Sequence, residues 1–256
     1  MQRNYRLTIA YDGSRYFGWE HQPDQITIQG TLEEAFMAAF SCDFPEIQGA
    51  GRTDAGVHAR QMCANVWLDL ASSISVEEMR EALNQHLPED IRILRVQIAA
   101  AGFHARYSAV GKTYEYSCYV GEVHRVFGRK YVYDLTKQYE TKPDLAAMQE
   151  AAKILMGKHD YAAFCKNASS YESTVRVIDE ITIGYDDKEP GLLRMRFHGT
   201  GFMRNMVRIL AGTLICVGYG KMTVEDVAIA LEARDRDLAG YTAPPQGLCL
   251  LEVDYS

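Results

Sequence analysis

Segments with the two-residue period of a strand and segments with the spacing of a helix take turns along this chain, in an order that few topologies accommodate. Tyr5, Leu7, Ile9 and Tyr11 alternate with polar or small residues, as in a half-buried strand, and that strand ends at Asp12-Gly13. Leu32, Ala35, Phe36, Ala39 and Phe40 then recur at helical spacing behind a Thr31–Glu34 capping-box pattern, which predicts a helix with one apolar face. Met62 to Leu70 reads as a strand, Ser75 with Glu78 caps a second helix carrying Met79 and Leu83, and Ile91 to Ile98 returns as a strand. With a short strand at Glu46 to Ala50 the order is βαββαβ, the split-βαβ or ferredoxin-like arrangement.

Beyond Ala99 to Gly102 the order recurs. Thr113 to Val120 alternates as a strand, and Thr141 to Met156 reads as a helix with Pro143 in its first turn and Gly157 after it. Strands follow at Val177 to Tyr185 and Leu192 to His198. A long helix is expected from about Met203 to Val217, another from Thr223 and Asp226, and a last strand at Leu248 to Val253. The chain therefore reads as an α+β protein of two ferredoxin-like halves with mixed or antiparallel sheets. The division is 1–104 and 105–256, without obvious sequence repetition between the halves. Hydrophobic residues make up 47% of the 256, ample for packed cores. No apolar run approaches the roughly 20 residues needed to cross a bilayer, and Met1 to Arg6 lacks the apolar stretch of a signal peptide, so a cytoplasmic protein without a membrane partner is expected. Six cysteines (Cys42, Cys63, Cys118, Cys165, Cys216, Cys249) lie scattered without a CxxC pair, mostly in apolar segments; this favours buried thiols and disfavours a metal site.

Between the first helix and the following strand lies Gly49-Ala50-Gly51-Arg52-Thr53-Asp54-Ala55-Gly56-Val57-His58-Ala59. Its glycines bracket one carboxylate, with an arginine two residues before it and a histidine four after, so the backbone can turn tightly and hold Asp54 out from the fold. Thr53-Asp54-Ala55-Gly56 also reads as an ordinary type I turn. Other chemistries find less support: Gly49-Ala50-Gly51 lacks the third glycine and the strand-to-helix context of a dinucleotide fold, and P-loop, HExxH and GxSxG patterns are absent. Asp12 and Asp54 could be imagined as a glycosidase pair, but Asp12-Gly13 is more simply a turn.

The formal charge of -7 runs against a nucleic-acid partner, but its distribution does not. Arg194, Arg196, Arg204, Arg208 and Lys221 fall between Leu192 and Lys221 without an acidic residue, a local charge of +5. Gly102 to Lys130 carries Arg106, Lys112, Arg125, Arg129 and Lys130 against Glu115 and Glu122, a local +3. Solvated faces would explain either window alone.

The stretch GRTDAGVHA resembles the central motif of the tRNA pseudouridine synthase A family, in which the aspartate is the catalytic nucleophile. Tyr11-Asp12-Gly13-Ser14-Arg15-Tyr16-Phe17-Gly18-Trp19 is similar to the family's opening segment, and Gln29-Gly30-Thr31-Leu32-Glu33 to the stretch before its first helix. Asn84 through Pro88, Phe103-His104-Ala105-Arg106, Lys112-Thr113-Tyr114-Glu115-Tyr116, Phe202 through Arg208 and Gly247 through Tyr255 match in the same order, so the resemblance covers nearly the whole chain. That both basic windows fall on motifs of the family this sequence resembles favours a basic cleft in an acidic shell. It implies an isomerase that converts uridine to pseudouridine at positions 38 to 40 of the tRNA anticodon stem-loop. It also implies two α+β halves whose sheets flank a central catalytic cleft, in a homodimer, without cofactor or metal. The competing readings are a non-catalytic RNA-binding protein on the same fold and a synthase with a different RNA target.

Pseudouridine formation breaks the bond between uracil and ribose and rejoins the base through carbon 5, with no redox change, so one carboxylate nucleophile suffices. By the resemblance, Asp54 is that nucleophile, Tyr114 contacts the target base and serves in proton transfer, and Arg208 pairs with Asp54. Strand alternation puts Tyr114 and Tyr116 on one face and does not choose between them; only the resemblance selects Tyr114. Arg208 lies one turn beyond Arg204 on a helix whose packed face is apolar, so one or both must reach solvent or an anion. Arg52 matches an arginine at the flipped nucleotide and equally suits a solvent-facing loop. His58, His104, Arg106 and Arg204 complete the candidates for structural or substrate-binding roles. The chain departs from the family's usual residues at Gln61-Met62-Cys63, Glu20, Glu172 and Cys249, all away from Asp54, Tyr114 and Arg208 in sequence.

Overall fold

The computed structural model describes residues 2–69 and 74–256, and it divides the chain into two compact units. One is Met1–Val110 together with Leu250–Ser256; the other is Gly111–Cys249. The division falls after residue 110 rather than at 104, and the chain's last residues belong to the first unit. Side chains account for this return: the Arg6 guanidinium lies 4.2 Å from the Tyr255 ring centroid and 5.4 Å from that of Phe103, and Tyr255 OH donates to Ala105 O at 2.6 Å.

The first unit runs β1 (Arg3–Tyr11), α1 (Ile28–Phe40), β2 (Ile47–Gly49), β3 (His58–Leu68), α2 (Val76–His86) and β4 (Ile91–Ile98). Leu70, the expected end of the third strand, lies outside the described residues. β1 sits between β4 and β3, antiparallel to both, and β2 pairs antiparallel with β3. Because β1 lines one edge of β3 from Ala59 to Leu68, β2 takes the other edge, where β10 (Leu248–Tyr255) also lies. Cross-strand register aligns Ala64, Leu7 and Val96 in one row and Met62, Ile9 and Ile93 in the next, all buried. The two-residue period in the sequence therefore becomes one continuous apolar face, and Leu32, Phe36, Met79 and Leu83 of the helices are fully buried with it.

Ser75 and Glu78 form the expected capping box of α2. Asn84, near that helix's end, clasps β4: its amide donates to Ile93 O and accepts from Ile93 N, each at 2.9 Å. α1 begins earlier than its Thr31–Glu34 pattern predicts. Thr27 is the N-cap, accepting from Gly30 N at 3.2 Å, while the Thr31 hydroxyl donates back to Thr27 O inside the first turn.

The second unit contains β5 (Ala109–Tyr119), β6 (Tyr133–Asp134), α3 (Leu145–Leu155), β7 (Gly157–Asp160), β8 (Val175–Tyr185), β9 (Leu192–Gly199), α4 (Met206–Gly218) and α5 (Val224–Ala233). β5, β9, β8 and β7 are neighbours in that order and antiparallel, and β6 pairs parallel with β5, so the sheet is mixed. α3 packs against α4, α5 and β8. Its N-cap is Asp144, which accepts from Ala147 N at 3.0 Å; Pro143 thus precedes the helix instead of entering its first turn. Thr223 and Asp226 close the expected capping box of α5. None of the six cysteines is in a disulfide: four are buried and Cys42 and Cys249 half-buried. Among the described residues no helix is long and apolar enough to cross a membrane.

Candidate active site

Asp54 stands on a turn set one residue later than expected. Val57 N–H donates to Asp54 O at 3.1 Å, so the turn is Asp54-Ala55-Gly56-Val57. Gly56 takes φ +78° at its third position, which a type II turn requires and a type I turn does not. The first strand and the segment after it hold the loop from both sides. Tyr11 OH and Thr53 Oγ1 share a buried hydrogen bond of 2.8 Å, Trp19 N–H donates to Thr53 O at 3.0 Å, and Gly56 N–H donates to Tyr16 O at 3.2 Å. Gly13 N–H donates to Nδ1 of buried His58 at 3.1 Å, and Asp12 Oδ1 lies 3.1 Å from the same nitrogen, so His58 is part of this scaffold. Half-buried Asp54 is therefore carried on a loop whose neighbours at 53, 56 and 58 are each fixed to the 11–19 segment. Asp12 is a turn residue, as expected: its Oδ1 accepts from Ser14 N at 2.9 Å and Ser14 Oγ at 2.5 Å.

In the second unit, the two tyrosines that strand alternation leaves equivalent differ in their surroundings. Tyr116 is fully buried, its hydroxyl donates to Pro244 O at 2.8 Å, and burial pushes its pKa well above the ordinary phenol value. Tyr114 keeps 8% exposure and meets Phe202 edge-on, with ring centroids 5.3 Å apart. Tyr116 is thereby accounted for as a core residue. Tyr116→Phe should lower stability by about 1–2 kcal/mol, the cost of leaving a buried carbonyl without its donor, and leave turnover intact. Denaturant unfolding midpoints would measure this, and an unchanged midpoint would contradict the assignment.

Every residue of α4 is buried except Arg208. Its Nε donates to Ala243 O at 2.7 Å while Ala243 N–H donates to Arg208 O at 3.0 Å, so the backbone at 243 sets the plane of the guanidinium. Arg204 is not on this helix, contrary to the sequence reading. The N-cap is Asn205 in the left-handed region at φ 60°, and exposed Arg204 lies before it, its N–H donating to Tyr171 OH at 2.9 Å. Met203 and Met206 both being apolar extends the helical pattern across a break that asparagine, tolerant of the left-handed region, makes possible.

The profile of the family described as tRNA pseudouridine synthase matches residues 7–108 and 151–256. The chain belongs to this family. Curated relatives named tRNA pseudouridine synthase A agree with it along their full lengths. That of Clostridium kluyveri is 40% identical over 99% of this chain and 100% of the relative, that of Lysinibacillus sphaericus 39% over 99% and 100%, and that of Latilactobacillus sakei 40% over 100% of each. The family is one of isomerases. Both the Asp54 loop and the β1 segment that holds it fall within the first matched range, and Arg208 falls within the second. Tyr114 lies in the stretch between them.

Other family-matched residues have defined surroundings. Arg52 pairs with Glu20 at 3.2 Å, both more than half exposed, so one departure from the family pattern supplies this arginine's partner. Such an exposed pair contributes about 0–1 kcal/mol and exchanges readily for a phosphate. Arg106 is exposed beside Tyr107, itself 77% exposed; the His104 and Tyr107 rings lie 4.3 Å apart.

The basic window from Leu192 to Lys221 is partly neutralised within the fold. Buried Glu115 accepts from Arg194 and, at 2.7 Å, from Arg196, and Arg194 also meets Asp186 at 2.6 Å. In the other window Arg125 pairs with Glu189. Register explains the first set, because β5 and β9 place Glu115 opposite Arg196. A linear charge count cannot register a partner 81 residues away. The local +5 therefore overstates the charge available to a ligand.

Proposed function

We propose that this chain isomerises uridine to pseudouridine in tRNA, at positions 38 to 40 of the anticodon stem-loop, with Asp54 as the nucleophile. The observation that carries the reading is the Asp54 loop: a family-matched carboxylate on a glycine turn, with residues on both sides tied to a second family-matched segment. In the net reaction the bond from C1′ to N1 breaks, a bond from C1′ to C5 forms, the proton on C5 leaves and N1 gains one. Asp54 attacks the base or the sugar, or promotes a glycal route; each uses one carboxylate and balances without an oxidant. A stacked, paired uridine is out of reach, so the target is flipped from its helix, which requires cationic contacts to the phosphates. Arg52, Arg106 and Arg204, all exposed, suit that task. By the sequence resemblance, Tyr114 contacts the flipped base and serves in proton transfer, and Arg208 pairs with Asp54; Arg208 lies within the matched ranges and Tyr114 outside them. His58 serves the site as part of the loop's scaffold, its ring held by Gly13 N–H.

We read both units as ferredoxin-like halves. The β4-β1-β3-β2 pairing of the first unit supports this reading for that half. The family resemblance supports a cytoplasmic homodimer. The test is a map of pseudouridine in tRNA from cells with and without the gene. Loss of the modification at positions 38, 39 and 40 is expected on deletion; unchanged modification at all three rejects the assignment.

A further inference from the structure

The loop between β5 and β6 turns large apolar side chains toward solvent. Phe127 is 88% exposed, Val123 75% and Val126 64%. Large apolar side chains exposed within five residues of one another suit an interaction surface. Local bonds hold Phe127 in place. Arg125 Nε donates to Phe127 O at 2.7 Å while the same guanidinium pairs with Glu189. Gly128 takes φ +70°, Tyr131 N–H donates to Gly128 O at 3.0 Å, and Arg129 Nη1 donates to Val126 O at 3.0 Å. Two arginines thus brace the carbonyls at 126 and 127, and the aromatic ring projects from a fixed backbone.

Charge identifies what it meets. Arg129 and Lys130, next to the ring in sequence, are exposed. The nearby carboxylates are mostly engaged within the fold: Asp134 with His124 at 3.1 Å and Thr136 at 2.6 Å, and Glu189 with Arg125; Glu122 stands at the loop's start. An exposed aromatic flanked by cations suits single-stranded nucleic acid, where a base stacks on the ring and adjacent phosphates meet the charges. A symmetric contact of this loop with a second copy of itself would instead press Arg129 and Lys130 against their equivalents, and like charges resist that.

We propose that the 122–131 loop is a second RNA-contact site, in which an unpaired base stacks on Phe127 and Arg129 and Lys130 hold its phosphates. It rests on the proposed action on tRNA and adds a contact made wholly by the second unit. The test measures tRNA affinity at several salt concentrations, together with turnover, for the full-length protein and three variants. Phe127→Ala should weaken binding about tenfold, and Phe127→Trp should restore it, because stacking is shared by aromatic rings. The Arg129→Gln, Lys130→Gln double variant should shallow the dependence of log affinity on log salt by about 1.5, one counterion contribution for each lost phosphate contact. Turnover at saturating tRNA should stay at the wild-type value in all three.

Equal affinity of Phe127→Ala and wild type overturns the inference. So does a Phe127→Ala protein that sediments at lower mass yet binds tRNA unchanged, since the loop would then be a contact between copies. Wild-type protein that neither binds tRNA nor forms pseudouridine defeats the proposed function, and this site with it. A wild-type enzyme that is active and indifferent to Phe127 defeats the site alone.

Discussion

Asp54→Asn is expected to abolish turnover while the fold and tRNA binding survive. Asparagine keeps the size of the side chain and an oxygen acceptor but removes the negative charge and most of the nucleophilicity. The turn itself does not depend on the carboxylate, because the bond closing it runs from Val57 N–H to the main-chain oxygen of Asp54. Loss of a nucleophile costs on the order of 10⁴-fold or more in rate. Asp54→Glu should fail as well: the added methylene moves the carboxylate by about an ångström, and misplacement on that scale costs roughly a hundredfold. The measurement is release of tritium from carbon 5 of uracil in labelled tRNA, paired with a binding assay on the same protein. Wild-type release by Asp54→Asn would reject the nucleophile assignment even with the family secure.

Local signals in the sequence survive into the structure, and signals that depend on distant partners do not. The capping boxes of Ser75 with Glu78 and Thr223 with Asp226 are contained within one helical turn, and both form as read. Alternation along β1 is equally local and marks its buried face correctly. Helix starts fail where two caps compete: Thr27 prevails over Thr31 in α1, and Asp144 starts α3 after Pro143. At α4 the apolar period runs through a left-handed Asn205 that periodicity cannot detect. β6 and β7 are too short to show any period.

The same distinction applies at the site. The glycines around Asp54 announce a turn, but the support from Tyr11, 42 residues from Thr53, is invisible without the fold. Glu115 looks like one acid among basic residues until β9 brings Arg194 and Arg196 to it. Tyr114 and Tyr116 share a period, and they part only when Pro244, 128 residues beyond Tyr116, supplies an acceptor to one of them.

Gly13→Ala should impair catalysis through the backbone of the Asp54 loop rather than through any reacting group. A Cβ at Gly13 would overlap the main-chain oxygen of Val57, the residue whose N–H closes the turn on Asp54. A flexible side chain could swing away, but a carbonyl in this turn moves only if the turn moves. Gly18, with φ +95°, faces the same loop from another side: its Cβ would lie 2.7 Å from Thr53 O. Relief at either glycine displaces residues 53–57 and the carboxylate between them. A displacement near one ångström predicts a turnover loss of roughly a hundredfold, alongside a stability loss of about 1–3 kcal/mol from overpacking. Single-turnover rates and tRNA affinity, measured on protein that melts cooperatively, separate the two effects: the rate should fall and the affinity hold. Tyr11→Phe removes the hydrogen bond to Thr53 Oγ1 while keeping the ring, and it should show the same pattern in smaller degree, which keeps the prediction testable if Gly13→Ala does not fold. Gly184→Ala is the control, because a Cβ there meets nothing within 4 Å. Gly13→Ala and Tyr11→Phe proteins that both turn over at the wild-type rate would show that the 11–19 segment does not position Asp54.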